Sequence, residues 1–337
     1  MEKQPLNNKL IVGRGSTAIY LVLNNRLKNK EVIIPANICY AVPFSVIYSG
    51  NLPVFVDIKD DYSGNTSLDL IKEKVNDNTG AIIFPYMYGN VTEDIIEIKE
   101  FCTNNNILLI EDCASAMGGT INGRPVGVFG DYSFFSTGHA KNVDLGNGGI
   151  LFSDCDLKDE EKEYMSLPEY SENIATRQSV FSKTYRNLRN QNNFDEINKF
   201  FDKHEQYRDL FIYKLDNNLD IANSFSVIED KREKSMNNYF LYKDLLSNCN
   251  ILEHYDGSFP WRFSIYIKDL VKRQKIINDL LCEELFVSDW YPCISNYFND
   301  DSIYANAKQQ GEEILNFSLD ISQEDIRKIC TIVNTNL

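Results

Sequence analysis

Short apolar runs alternate with amphipathic stretches through the first half of the chain, and this rhythm predicts its elements. Glu31-Val32-Ile33-Ile34-Pro35, Pro53 to Asp57, Ala81 to Pro85 and Ile107 to Asp112 read as strands. Ala18 to Leu27, Ala41 to Ser49, Leu68 to Lys74 and Ile95 to Asn104 read as helices between them. Strands that are apolar almost throughout are buried on both faces. Their alternation with helices predicts an α/β fold with a mainly parallel central sheet flanked by helices. Asp131 to Phe135 and Gly149 to Phe152 add two short strands.

The pattern then changes. Residues 156–210 are polar and read as peripheral helices or an interdomain linker, and Ile212 to Lys243 as a long helical region. Phe263 to Ile267 alternates apolar and polar, as a half-buried strand does. Val271 to Leu285 has helical spacing, and Ser322 is placed to cap a last helix. These elements predict a large domain over 1–225 and a smaller C-terminal α+β domain over 226–337.

At 337 residues the chain is long enough for two domains. A net charge of −15 counts against nucleic-acid and acidic-membrane partners, although one pocket can still be positive. No secretory h-region follows Met1, and no apolar stretch reaches the roughly 18–20 residues that span a bilayer. The eight cysteines are scattered without a CxxC pair, so they read as reduced thiols of a cytoplasmic protein. With only three histidines, the reading includes no zinc or non-haem iron site and no other metal.

Two side chains stand out chemically. Asp112 ends an apolar strand, where α/β folds place ligands, although a carboxylate there can equally cap the next helix. Its neighbour Glu111 points the other way and reads as structural. Lys141 lies just before the glycines of Gly146-Asn147-Gly148-Gly149. An amine and a carboxylate are the two groups that pyridoxal phosphate chemistry needs most, although a lone lysine is more often solvated. Gly13-Arg14-Gly15-Ser16-Thr17 opens a helix whose free N–H groups suit a phosphate or simply form a capped turn. Ser136 could hydrogen-bond a phosphate or satisfy backbone. His139 reads as an acid–base group or, by preference, a packing residue. The glycines between Gly118 and Gly130 read as a tight hairpin, and Pro85 to Gly89 as strand-end packing or pocket lining.

Taken in order, Gly15 to Ile19, Val56-Asp57, Glu111 to Ala116, Gly130-Asp131 and Ser136 to Gly149 resemble the DegT/DnrJ/EryC1/StrS family of fold-type-I aminotransferases. The resemblance returns more weakly at Arg262-Phe263, Trp290-Tyr291-Pro292 and the last helix. It implies pyridoxal 5'-phosphate as cofactor, with Lys141 as Schiff-base lysine and Asp112 paired with the pyridine nitrogen. It implies Ser136, Ser16 and Thr17 around the cofactor phosphate, and Asn218 reaching the neighbouring subunit's phosphate in a homodimer with shared active sites. Ser115 stands where the family usually has Gln, Met117 where it has His, and Asp220 where it prefers Arg. The segment that covers the cofactor ring reads Cys39-Tyr40, with Cys39 at the ring position. The implied reaction moves an amino group from an amino acid, glutamate by resemblance, to a keto sugar, nucleotide-linked, in surface-polysaccharide or related amino-sugar synthesis. A smaller phosphorylated ketone as acceptor, a cofactor-dependent sugar dehydratase and a non-catalytic protein on the same fold stay as alternatives.

Overall fold

The computed structural model describes residues 8–215 and 224–337. Strands β1 (Asn8–Val12), β2 (Glu31–Pro35), β3 (Leu52–Val56), β4 (Thr79–Pro85) and β5 (Leu108–Asp112) precede a small hairpin, β6 (Thr120–Ile121) and β7 (Arg124–Pro125). After β8 (Tyr132–Ser136) and β9 (Gly149–Ser153), the main sheet is complete in the order β1-β9-β8-β5-β4-β2-β3. The pairs from β3 to β8 are parallel, while β9 runs antiparallel to both its neighbours. The apolar runs mark the parallel strands because both faces of that sheet are covered.

On one face lie α1 (Gly15–Arg26) and α2 (Ala41–Tyr48), packed in one core with Val32, Ile34, Ile83 and Ile110. On the other, α3 (Leu68–Lys72) and α4 (Asp94–Asn105) pack with Ile33, Ile82, Phe84 and Leu109. The period-two alternation of a strand sends successive side chains to these two layers.

Of the two readings of the polar stretch 156–210, helices rather than a linker are found. Its helices α5 (Lys158–Ser166), α6 (Glu172–Asn190) and α7 (Phe194–Phe201) bury Tyr164, Phe181, Tyr185 and Phe201 in the α1–α2 core. After α8 (Arg208–Phe211), the expected helix from Ile212 is replaced by extended chain, in which Lys214 bridges to Glu169. The reason is tertiary: the carbonyls of Phe211 and Tyr213 are bound by the hydroxyls of Ser16 and Thr17, which holds this segment against the start of α1. The helix itself, α9, runs over Ser224–Leu245.

A second, three-stranded antiparallel sheet follows, in the order β10 (Asn250–Ile251), β11 (Phe263–Tyr266), β12 (Ile314–Phe317). With α9, α10 (Leu270–Cys282) and α12 (Gln323–Asn336) it encloses its own core around Phe263, Ile265, Leu315 and Phe317. The pattern did not foretell β1, β10 or β12. Nor is β11 half-buried: its polar positions are covered too, because Ser264 bonds Asn316 and Tyr266 bonds Tyr62 and Gln310. Ser322 caps α12 as expected, accepting from Asp325 N–H. Between the two sheets, α11 (Ala305–Glu313) starts with the N–H groups of Asn306 and Ala307 on the Asp57 carboxylate.

Candidate active site

Four strand ends define the site. Asp112 is the last residue of β5 and Ser136 the last of β8, while β2 and β4 run into Asn37-Ile38-Cys39 and Tyr86-Met87-Tyr88. Parallel strands place these ends on one edge of the sheet, where α/β folds gather ligands.

Asp112 is buried and its Oδ1 accepts one hydrogen bond, from Ala114 N–H at 2.9 Å. Burial pushes its carboxyl up to about 6, against the opposing pull of that N–H and of Lys141. The Lys141 amine donates to Ser115 Oγ at 3.2 Å and lies 5.8 Å from the centroid of the Trp261 ring. Burial opposes the lysine's charge. Tyr291, Cys39 and Asp112 favour it, and the balance leaves the amine above the ordinary lysine value.

The loop carrying Lys141 is tied at several points. The Asp144 carboxylate accepts from Ala140 N–H and Gly146 N–H, each at 2.8 Å. Thr137 Oγ1 donates to Asn147 O at 2.8 Å, and the Trp261 indole N–H donates to Ala140 O. Ala140 takes a left-handed φ of 63°, which turns the chain just before the lysine. The glycines upstream form the expected hairpin, with Ile121 paired to Arg124.

A second group of residues forms a cradle beside this pair. A Cβ placed on Gly15 would lie 3.6 Å from Ser136 Cβ, so the first turn of α1 and Ser136 are adjacent. The side chain of the N-cap, Arg14, makes no capping hydrogen bond, and the first amides of any helix lack intrahelical acceptors. Ser136 Oγ accepts from Gly138 N–H at 3.3 Å, which keeps the hydroxyl hydrogen for another acceptor. Ser16 Oγ donates to Phe211 O at 2.7 Å and Thr17 Oγ1 to Phe211 O at 3.2 Å. Those two hydroxyl hydrogens are therefore engaged on main chain, and what this turn has left for an anion is its amides.

Cys39 and Tyr40 part company. Burial pushes the Cys39 thiol up, while Lys141 pulls it down and Asp112 raises it, so Cys39 sits within the field of both. Tyr40 instead joins an aromatic cluster, with ring centroids 4.9 Å from Tyr185 and 5.7 Å from Phe181. His139 is 87% exposed and pairs with Asp144 at 3.5 Å, outside the Lys141–Asp112 group. Tyr88 is fully buried and its hydroxyl accepts from Tyr291 N–H, which makes the 85–89 segment strand-end packing behind the site. Asn218 and Asp220 lie outside the described residues.

The sequence did not single out Trp261, and it named Arg262 and Tyr291 only within the weaker resemblance, without a role. Trp261 stacks on Tyr291 with centroids 5.7 Å apart, and Tyr291 acts electrostatically on both Lys141 and Arg262. One signal was available. The chain has only two tryptophans, Trp261 and Trp290, and both stand beside this group, the second against Tyr40 and Tyr291.

Known proteins resemble this chain in sequence and in fold. GDP-perosamine synthase of Vibrio cholerae is 34% identical over 148 residues, which cover 43% of this chain and 40% of that protein. UDP-N-acetyl-3-dehydro-alpha-D-glucosamine 3-aminotransferase of Acidithiobacillus ferrooxidans is 37% identical over 130 residues, 38% of this chain and 35% of that protein. The matched stretches thus span well under half the length of these relatives. Among solved structures, PseC of Helicobacter pylori, an aminotransferase of pseudoaminic acid biosynthesis, superposes with a TM-score of 0.75 at 16% identity. That superposition covers 98% of this chain and 87% of PseC. The E. coli GDP-4-keto-6-deoxy-D-mannose-3-dehydratase with bound hydrated PLP gives 0.70 at 18% identity, covering 97% of this chain and 88% of the dehydratase. At such identities the likeness is one of fold, and the fold is that of these proteins. The DegT/DnrJ/EryC1/StrS aminotransferase family model matches residues 7–333, and the chain belongs to that family.

Proposed function

We propose that this protein is a pyridoxal-phosphate-dependent aminotransferase. It takes an amino group from an amino acid, with glutamate the first donor to test, and delivers it to a keto sugar carried on a nucleotide. The observation that carries the reading is the convergence of a half-buried lysine amine on Ser115, the buried Asp112 and the α1–Ser136 cradle. The relatives' names, GDP-perosamine synthase and a UDP-sugar 3-aminotransferase, support the substrate class.

The residues fit the cofactor. Asp112 keeps hydrogen-bonding capacity beyond its single N–H donor and is poised to hold a proton at a ring nitrogen. The amides of Ser16 and Thr17 and the Ser136 hydroxyl offer donors to a phosphate. Cys39, Ser115 and Trp261 would flank the ring. When bound, pyridoxal phosphate supplies an aldehyde for amine exchange and a protonated ring that draws electrons from the substrate carbon. Lys141 would remove and return the proton at that carbon, and Tyr291 and Ser115 hold its amine in place.

A sugar dehydratase is disfavoured by the geometry: Lys141 is present at the centre, and His139, the other acid–base candidate, is 87% exposed beside Asp144. We further propose a homodimer in which Asn218 completes the neighbouring cofactor phosphate site, in the cytoplasm. Among the described residues no helix is long and apolar enough to cross a membrane. The separate core around β11 and β12 supports a division into a large unit, 1–225, and a smaller one, 226–337.

The test is an absorption spectrum of the protein with pyridoxal phosphate, before and after excess L-glutamate. A visible band that forms and then shifts to the near ultraviolet supports the reading. A band that ignores every amino-acid donor would move the protein to other cofactor chemistry, and no band would remove Lys141 from its role. Light scattering of the loaded protein tests the dimer.

A further inference from the structure

Asp289, in the segment that links α10 to α11, is gripped from two sides. Arg189, at the end of α6, pairs through its Nη2 with Asp289 Oδ1 and donates to Asp289 O at 3.4 Å. Arg273, on α10, lies 3.5 Å from Oδ2 and donates to Ile314 O at 3.0 Å. The two arginine side chains are only 14% and 12% exposed. Burial opposes the charge of Asp289, yet the arginines hold its carboxyl below the ordinary aspartate value. The helices that supply them belong to different cores, α6 to that of α1 and α2, and α10 to that of β11 and β12. One carboxylate joins both to the linking segment.

A buried ion pair adds little net stability over apolar side chains of the same volume, because desolvation offsets the attraction. What it supplies here is fixed geometry, and the next two residues use it. Trp290 lies 5.3 Å from the Arg189 guanidinium, with Tyr40 and Tyr185 each 6.0 Å away between centroids. Asn316 Nδ2 donates to Trp290 O at 2.7 Å. Tyr291 then stacks on Trp261, the same indole over which the Lys141 amine lies. Its hydroxyl shares a hydrogen bond with that amine. Two peptide units separate the clamped carboxylate from this phenol, so a shift at Asp289 is carried to Tyr291.

We propose that Asp289 is a positioning residue: held between Arg189 and Arg273, it fixes Trp290-Tyr291 so that the Tyr291 hydroxyl stays on the Lys141 amine. This rests on the aminotransferase reading. Asp289 takes no proton itself and acts through Tyr291.

The experiment is a double-mutant cycle in the loaded enzyme. The donor half-reaction is followed spectroscopically with L-glutamate, or with whichever of L-glutamine, L-aspartate and L-alanine the wild type accepts. Asp289→Asn should lower the rate at saturating donor roughly 10-fold and change the half-saturating concentration by less than about 3-fold, because the donor still binds while the proton carrier is displaced. Tyr291→Phe should slow the same step by a similar factor, and the double variant should be no slower than Tyr291→Phe. In cofactor-free protein, Asp289→Asn should raise acrylamide quenching of tryptophan fluorescence, since Trp290, one of only two tryptophans, loses its cover. Should Asp289→Asn fail to load cofactor, Arg189→Met, which leaves Asp289 paired with Arg273, carries the comparison. Equal slowing by Asp289→Asn with and without the Tyr291 hydroxyl overturns the inference. So does a variant that only melts earlier and reacts as wild type does, or Tyr291→Phe at the wild-type rate. If wild type responds to none of the four donors, the aminotransferase reading itself falls and takes this inference with it.

Discussion

Glu111 and Asp112 are adjacent in β5 and serve opposite layers of the molecule. Glu111 accepts four hydrogen bonds: from Tyr86 OH at 2.7 Å, Gly127 N–H at 2.9 Å, and Phe129 and Gly130 N–H at 2.6 Å. Asp112, on the α1–α2 side, accepts one, from Ala114 N–H. The first carboxylate is consumed by the fold, and the second is left for a ligand.

Substitution at Glu111 should therefore act on stability. Glu111→Ala strands a buried hydroxyl and three buried amides. We expect a loss of about 3 kcal/mol or more in urea unfolding of the cofactor-free protein. A loss below about 1 kcal/mol would show that water replaces the carboxylate without strain.

Asp112 should behave in the reverse sense. Its carboxyl is raised from 3.8 to about 6 in the folded state, so the folded protein binds the proton more tightly than the unfolded chain. The associated stability is fully present below pH 4 and is lost as pH rises through 6. The full difference is on the order of 3 kcal/mol. Cofactor-free Asp112→Asn should lack this dependence. Relative to wild type, it should gain thermal stability between pH 4 and 7, while binding pyridoxal phosphate more weakly. Parallel melting curves for the two proteins across that range would refute the assignment.

Ser136 should report on the cofactor phosphate alone. Ser136→Ala removes one hydrogen bond to a charged group, which corresponds to roughly 10-fold or more in affinity for pyridoxal phosphate. Affinity for pyridoxal, which lacks the phosphate, should be unaltered. Equal losses for the two compounds would place Ser136 elsewhere in the site.

Gly13 guards the same cradle from behind. A Cβ there would lie 2.2 Å from the Tyr213 carbonyl oxygen, which is main chain and cannot swing away. Gly13→Ala should push the 211–213 segment from Ser16 and Thr17 and lower the melting temperature by several degrees, on the order of 1–3 kcal/mol. Cofactor affinity should fall with it. A variant that melts and loads as wild type does would mean the segment relaxes freely.

Lys141→Ala should still bind pyridoxal phosphate without a covalent bond, through Asp112 and the cradle, yet show no multiple turnover. The check is borohydride treatment followed by peptide mass analysis: wild type should carry the reduced cofactor on Lys141 and the variant should carry none. Continued turnover by the variant would exclude Lys141 as the proton carrier.

Much of this was legible in the chain. The apolar runs of β2, β4 and β5 announce a sheet covered on both faces, and a strand ending in Glu111-Asp112 announces two carboxylates of opposite orientation, because alternation is a property of the strand itself. Lys141 before its glycines is equally local. Other features have no local signal. Ser264 and Tyr266 look solvent-facing until Asn316 and Tyr62, far along the chain, cover them. Ile212 to Lys243 reads as helical, but hydrogen bonds from Ser16 and Thr17 hold its start extended.

The sequence by itself determined the layers, the strand ends and the chemical types at the site, since these follow from periodicity and side-chain chemistry. Only the tertiary structure decided which groups meet and what each has left to offer. It spent the Ser16 and Thr17 hydroxyls on main chain, turned Tyr40 into the aromatic core and put His139 in solvent. It also brought Trp261 and Tyr291, distant in sequence, to Lys141. Burial and pairing are sums over neighbours distant in sequence, and no stretch of the chain carries that sum alone.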